Sequence, residues 1–273
     1  MSNDDAETIA HELWSAYEMG KTIAVPPSKQ AGFDLDTAYA VEARLKQFRE
    51  AQGHRSVGRK VGYANKATWR VLKLETLVWA HMYHDTVHFS DGNSARLAIK
   101  HPRSLKIEPE IVFGLKQAIK GSSQDAAAAL VSTDWLAIGF EIIDCPYPEW
   151  KFQPSDFVAS FGLHAALMVG ERVQVRPELI PTLMNELPRF KVRLSRNGEF
   201  REEGSGRNSL KSPALCLAEL AAASERRFPS EALTAGEIVS SGAFTAGHAT
   251  GEDDLWTVEV DGLPLAPLTL RLS

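Results

Sequence analysis

Cysteine is nearly absent: Cys145 and Cys216 are the only two in 273 residues, and no metal-type spacing links them. A disulfide framework is therefore not expected, and a reducing, cytoplasmic setting is. No apolar run approaches the length of a membrane span. The opening stretch MSNDDAETIAHELW is acidic and polar, where a secretory leader would be basic and then apolar. Positive charge is also short. The formal net charge is -5, and no Lys/Arg block forms a patch for nucleic acid. GSGRNS lacks the lysine of a phosphate-binding loop, and the eight histidines show no HExxH spacing. His81, His84 and His88 are three and four apart, but MYHDTVHF reads as loop and strand, so no histidine metal site is expected. Neither a nucleic acid nor a membrane is expected as a partner.

What is present is an ordinary globular composition, 44% hydrophobic and 24% charged. Two amphipathic helices open the chain. The first carries Ile9, Leu13 and Tyr17 on one face. The second follows Asp34 or Asp36 and repeats Ala38, Val41, Leu45 and Phe48 before Gly53. After about residue 55 the pattern changes to short β-prone runs punctuated by Gly, Asn, Asp and Pro. Asn197-Gly198 marks a hairpin turn. SSQDAAAAL reads as a helix or loop insertion between strands, and a late helix begins at Ser212-Pro213 and ends near Arg226-Arg227. The fold class is α+β, with residues 1–55 as an N-terminal helical arm and 56–273 as a β-rich body.

Four stretches carry chemistry. In SLKIEPEIVF, alternation puts Leu105, Ile107, Ile111 and Phe113 on one face and Glu108 with Glu110 on the other. That second face is either a solvated edge, which Pro109 would suit, or a pair of ion ligands. In WLAIGFEIIDC, Glu141 stands in a run apolar enough to be covered on both faces. A carboxylate there must pair with a cation, lose its charge or bind a metal. Joined to Glu108 and Glu110 it would make a hard oxygen site suited to Mg²⁺ or Mn²⁺. In GRKVGYANK, Lys60 lies between Gly58 and Gly62; it is either a solvated lysine or one aimed into a pocket, where desolvation would make it an acid or base. In AGEIVSSGAFTAG, the small residues around Ser240, Ser241 and Thr245 form either a plain tight turn or an anion cradle.

Taken in order, these stretches resemble the hydratase/decarboxylase branch of the fumarylacetoacetate hydrolase superfamily. The resemblance runs from LDTAYAVEARL through GRKVGYANKA, KIEPEIVF, AIGFEIIDC and EWKFQPSDFVAS to GEIVSSGAFTAG. It implies a mixed, curved β-sandwich roll with peripheral helices, a homo-oligomer, and a place in aromatic catabolism. It implies Glu108, Glu110 and Glu141 as metal ligands and Lys60 as the proton-handling residue. It also implies Ser241, Gly242 and Thr245 as the substrate-binding turn, with Lys151 as a second cation there. The activity implied is that of a metal-dependent lyase on a short 2-oxo acid or its dienol. Hydration of a 2-hydroxydienoate leads, with decarboxylation of a 2-oxo dicarboxylate and a non-catalytic metal-binding role as alternatives. Two segments depart from the family: Ala80-His81 stands where hydratases carry an acidic pair, and Ser160-Phe161 where Asp-Asn is common. His81 is the residue left in that segment to activate water.

Overall fold

A computed structural model describes residues 3–120 and 125–273, with side chains described from residue 5. The first helix, Asn3–Glu18, packs on the second, Leu35–Ala51, which Asp34 caps by accepting the Thr37 N–H at 2.9 Å. The turn of each apolar stripe inward accounts for their burial: Ile9, Leu13, Ala38, Val41 and Leu45 are all in the core.

Among the described residues, a nine-stranded mixed sheet forms the centre. Its main path runs Val78–Tyr83, Ser56–Gly62, Ile238–Ser240, Leu105–Leu115, Thr133–Asp144, His164–Val169 and Val87–Phe89. A second, five-stranded sheet contains the Lys191–Arg196 and Glu199–Ser205 hairpin, together with Leu255–Asp261, Leu268–Leu272 and Ser94–Leu97. Asn197 and Gly198 both have positive φ (53° and 81°), as a two-residue hairpin turn requires. The architecture is the expected α+β arrangement around a curled mixed sheet.

The two central strands are antiparallel, and their register decides the site. Glu108 stands opposite Glu141, and Glu110 stands opposite Gly139. Directly opposed residues share a face, so all three carboxylates project to one side. Ile107, Ile111 and Phe113 are fully buried on the other.

One local expectation is revised, and one left open between helix and loop is settled as helix. FVASFGLHAALMVG is one of the β-prone runs by composition, yet its first three residues belong to a helix, Pro154–Ala159, because Pro154 at its start and Asp156 accepting the Gln153 N–H at 2.8 Å favour a first turn over a strand. Of SSQDAAAAL, Ala126–Val131 is a helix capped by Asp125, while residues 122–124 lie outside the described residues.

A three-carboxylate centre and its cavity

Ligand oxygens of Glu108, Glu110 and Glu141 lie within 4.8 Å of one another. Glu141 is buried behind Glu108 and Glu110, which line a cavity of about 580 Å³. Its walls include Lys60, Lys106, Trp150, Glu202, Asn208 and the 242–247 loop. The loop is fixed by the acid it surrounds: Glu110 Oε2 accepts the Gly242 N–H at 2.7 Å and the Ser240 hydroxyl at 2.5 Å. Gly242 has φ 87°, a left-handed conformation in which a side chain is strained, so a glycine is what lets the loop turn this close. Gly247 continues the wall, where a Cβ would stand only 2.7 Å from Glu108 Oε1.

Glu141 is completely buried, and two basic groups meet it. His164 Nδ1 is 3.0 Å from Oε1, and Lys60 Nζ is 2.9 Å from Oε2, an ion-pair distance without hydrogen-bond alignment. Burial would raise the Glu141 pKa, but Lys60 and His164 hold it below the usual carboxylate range. Lys60 is itself only 2% exposed. It donates to Gly162 O at 2.9 Å and lies 4.7 Å from the Phe157 ring centroid. Thr86 Oγ1 lies 3.0 Å from the second ring nitrogen of His164, completing a fixed imidazole. The cation-partner and metal-ligand readings of Glu141 are thus compatible in one side chain.

The donor set suits a hard divalent cation. Glu110 Oε1 is a buried oxygen with no hydrogen bond among the described residues, and Glu141 Oε2 has only the Lys60 ammonium beside it. A buried carboxylate oxygen with no partner is costly unless something positive meets it. Burial also pushes Glu108 up to about 7 against the pull of Lys60, and pushes Glu110 well above the carboxylate range, with Glu141 and Glu108 adding to the rise. A cation must therefore displace the Glu108 proton below about pH 7. Mg²⁺ affinity of the apo protein is expected to weaken by at least roughly tenfold between pH 8 and pH 6. Calorimetric titration at the two pH values measures this; a pH-independent affinity would count against the site.

The structure does not gather every residue expected at the centre. Lys60, Gly242 and Thr245 line the cavity. Ser241 does not: its hydroxyl donates to Ile111 O at 2.8 Å, into the sheet. Lys151 is 78% exposed and pairs with Glu149. His81 faces the other way, because it pairs with Arg59 across the strands while Ala80 pairs with Lys60. The His81 ring is buried under the second helix, with Nδ1 2.7 Å from Glu42 Oε1. Sequence reasoning missed His164, Lys106, Glu202 and His248. His164 alone left a signal, a polar residue in the apolar run LHAALMV.

His81→Ala is accordingly expected to act on stability. It removes the imidazole from the buried Glu42, which keeps only the backbone N–H of residue 81 at 3.1 Å, and is expected to cost about 1–3 kcal/mol, as for a buried polar group that loses a partner. Denaturant unfolding measures the loss; unaltered stability would contradict the pairing. A second group of potential ligands, His54, His84 and Asp85, is already engaged. His84 Nδ1 accepts the Arg55 N–H at 3.1 Å, and Arg49 holds Asp85 at 2.6 Å.

No family model matches the chain. Curated relatives do. A 2-hydroxyhexa-2,4-dienoate hydratase of Comamonas testosteroni is 24% identical over 258 residues, covering 94% of each chain. A 4-oxalocrotonate decarboxylase of Pseudomonas sp. (strain CF600) is 29% identical over 227 residues, covering 83% of this chain and 81% of that one. Among solved structures, 4-oxalocrotonate decarboxylase from Pseudomonas putida G7, complexed with magnesium and adipate, superposes with TM-score 0.88 at 22% identity. The match covers 100% of this chain and 99% of that one. Fumarylpyruvate hydrolase from Pseudomonas aeruginosa, in complex with Mn²⁺ and pyruvate, gives TM-score 0.58 at 16% identity, covering 80% and 89%. The chain is thus similar over most of its length to curated 2-hydroxydienoate hydratases and to a 4-oxalocrotonate decarboxylase, and it shares its fold with the solved decarboxylase and, less closely, with fumarylpyruvate hydrolase.

Proposed function

We propose that this protein is a divalent-metal-dependent lyase acting on a short 2-oxo acid or 2-hydroxydienoate, and that its reaction is hydration. The observation that carries the reading is the convergence of Glu108, Glu110 and Glu141 beside a buried lysine at the floor of a cavity. Mg²⁺ or Mn²⁺ would be held by those three carboxylates. When bound it supplies Lewis acidity to the carboxylate and 2-oxo oxygens of the substrate, where enolate charge develops.

The chain's own groups handle the proton. Lys60 Nζ is fixed by Glu141, Gly162 O and the Phe157 ring, so its charge is aimed without freedom to swing into solvent. From there it stabilises an enolate or transfers a proton at the carbon beside the carbonyl. The walls Ile143, Trp150, Phe152 and Leu163 surround the apolar tail of a short acid, and the loop bearing Gly242 and Thr245 closes over the opposite side. Curated relatives named 2-hydroxypent-2,4-dienoate hydratase and 2-keto-4-pentenoate hydratase support this substrate class. The reading includes a cytoplasmic homo-oligomer. It also treats residues 1–55 as an arm that braces the body, as Glu42 does by holding His81.

One observation favours decarboxylation as the second reading. Lys106 Nζ lies 4.0 Å from the Trp150 ring centroid in the cavity wall, where its charge also acts on Glu108, and no carboxylate of the described residues lies within ion-pair distance of it. It could meet the second carboxylate of a 2-oxo dicarboxylate. The deciding experiment is a screen of 2-hydroxydienoates and 2-oxo dicarboxylates with and without Mg²⁺ or Mn²⁺, with products identified. Divalent-dependent water addition is the expected result; CO₂ release alone selects the second reading. Metal binding without turnover of any substrate would leave a binding protein.

A further inference from the structure

Adding water to an alkene conjugated with a carbonyl needs a group to orient the water and take its proton. The strand position that pairs with Lys60 is Ala80, and it has no such group. Nor is there space to lend one. Gly162 packs there so closely that a Cβ on it would stand 2.7 Å from Lys60 Cδ and 3.0 Å from Ala80 Cβ. His81 points to the opposite face. The base must come from another wall.

We propose that Glu202 is that base and that His248 positions it; this rests on the hydratase reading above. Glu202 lines the cavity and is not one of the three clustered carboxylates. Two donors converge on one of its oxygens: the Ala246 N–H at 3.1 Å and His248 Nε2 at 2.8 Å, both to Oε2. No hydrogen bond from the described residues reaches Oε1, which leaves that oxygen to accept from a water in the cavity. The next residue along, Gly247, abuts Glu108 Oε1, so consecutive residues of one loop touch the base and the carboxylate centre. Lys60 reaches the centre from the Ser56–Gly62 strand and Glu202 from the Glu199–Ser205 strand of the other sheet.

The backbone shows a device for aiming Glu202. The hairpin register shifts between Phe200 and Glu202: Phe200 opposes Ser195, yet Glu202 opposes the buried Leu194. Such a bulge inserts one residue and re-aims the side chains beyond it. Glu202 consequently joins the half-buried face with Gly204, while Phe200, Arg201 and Glu203 remain exposed.

The step balances without an added reagent. The water oxygen bonds to the alkene carbon remote from the carbonyl, and its proton passes to Glu202 Oε1. The π pair moves to form the enolate. The carbon beside the carbonyl then takes up one proton and Glu202 gives one up, so one water is added and the carboxylate is restored.

The test compares Glu202→Gln with wild type in Mg²⁺. Hydration kcat is expected to fall by roughly 100-fold or more, the range for a lost general base. Exchange of solvent deuterium beside the carbonyl of a saturated 2-oxo acid, which needs only the carboxylate centre and Lys60, stays near the wild-type rate, as does calorimetric Mg²⁺ affinity. His248→Ala should cost about tenfold in kcat with little change in KM, and His248→Asn, which restores an N–H, should recover part of it. Hydration by Glu202→Gln within about threefold of wild type overturns the proposal. So does an equal loss of exchange, which would mark Glu202 as a support for the loop. Should that variant fail to fold, Glu202→Asp carries the test: withdrawing the carboxylate by one methylene should cut hydration about tenfold and spare exchange, and unchanged hydration refutes the role. A wild type that exchanges deuterium or releases CO₂ but adds no water fails differently: it removes the hydratase reading, and this role with it.

Discussion

Lys60→Met is expected to lose turnover by roughly 100-fold or more, because it removes the ammonium held at the carboxylate centre by Glu141, Gly162 O and the Phe157 ring. Its second effect is on the apo protein. Lys60 is the cation beside Glu141 Oε2, and both side chains are almost wholly buried. Removing one member of a buried pair leaves an uncompensated charge at a cost of about 3–5 kcal/mol. A divalent ion would meet the same oxygen, so saturating Mg²⁺ should return much of that loss while turnover stays absent. Thermal unfolding with and without Mg²⁺, alongside turnover, separates the two roles. Near-native turnover would reduce Lys60 to a structural cation, and a variant as stable as wild type would contradict the pairing with Glu141.

Glu110→Gln should have the reverse signature. Its amide oxygen can still accept from Gly242 N–H and the Ser240 hydroxyl, which hold Oε2 in the native protein. The new amide N–H groups face Glu108 and Glu141, relieving the crowding of three acids. The apo variant is therefore expected to be at least as stable as wild type. Metal affinity should fall by about 100-fold or more, beyond what loss of an outer-shell partner costs. At a Mg²⁺ concentration of about 100 times the wild-type Kd, ligand stabilisation of about 2.7 kcal/mol would shrink to about 0.4 kcal/mol. Unfolding at fixed Mg²⁺ reads this directly. Full Mg²⁺ stabilisation in the variant would remove Glu110 from the ligand set.

The parts of the centre legible in the sequence are those whose signal is local. Two glutamates alternating with buried aliphatics declare a face by strand periodicity alone, and Glu141 declares itself as a charge inside an apolar run. What required the structure is register. Whether His81 or Ala80 shares a face with Lys60 depends on how two strands pair, and a slip of one residue reverses the answer. The exposed hairpin around Glu202 reads in sequence as alternating solvated charge, FREE, with nothing to mark the bulge that turns one glutamate inward. Ser241 illustrates the same limit within a turn. Its neighbours Gly242 and Thr245 line the cavity, while its own hydroxyl is taken by Ile111 O. Helices are easier, since capping by Asp34 and the i, i+3, i+4 stripe after it are written within a few residues.

The most direct test of the central claim is anomalous diffraction from crystals soaked in Mn²⁺. One strong manganese peak is expected, enclosed by Glu108, Glu110 and Glu141, and no peak there in Glu110→Gln crystals. A cavity that stays empty at saturating Mn²⁺, or a peak located only at another cluster of side chains, would contradict it.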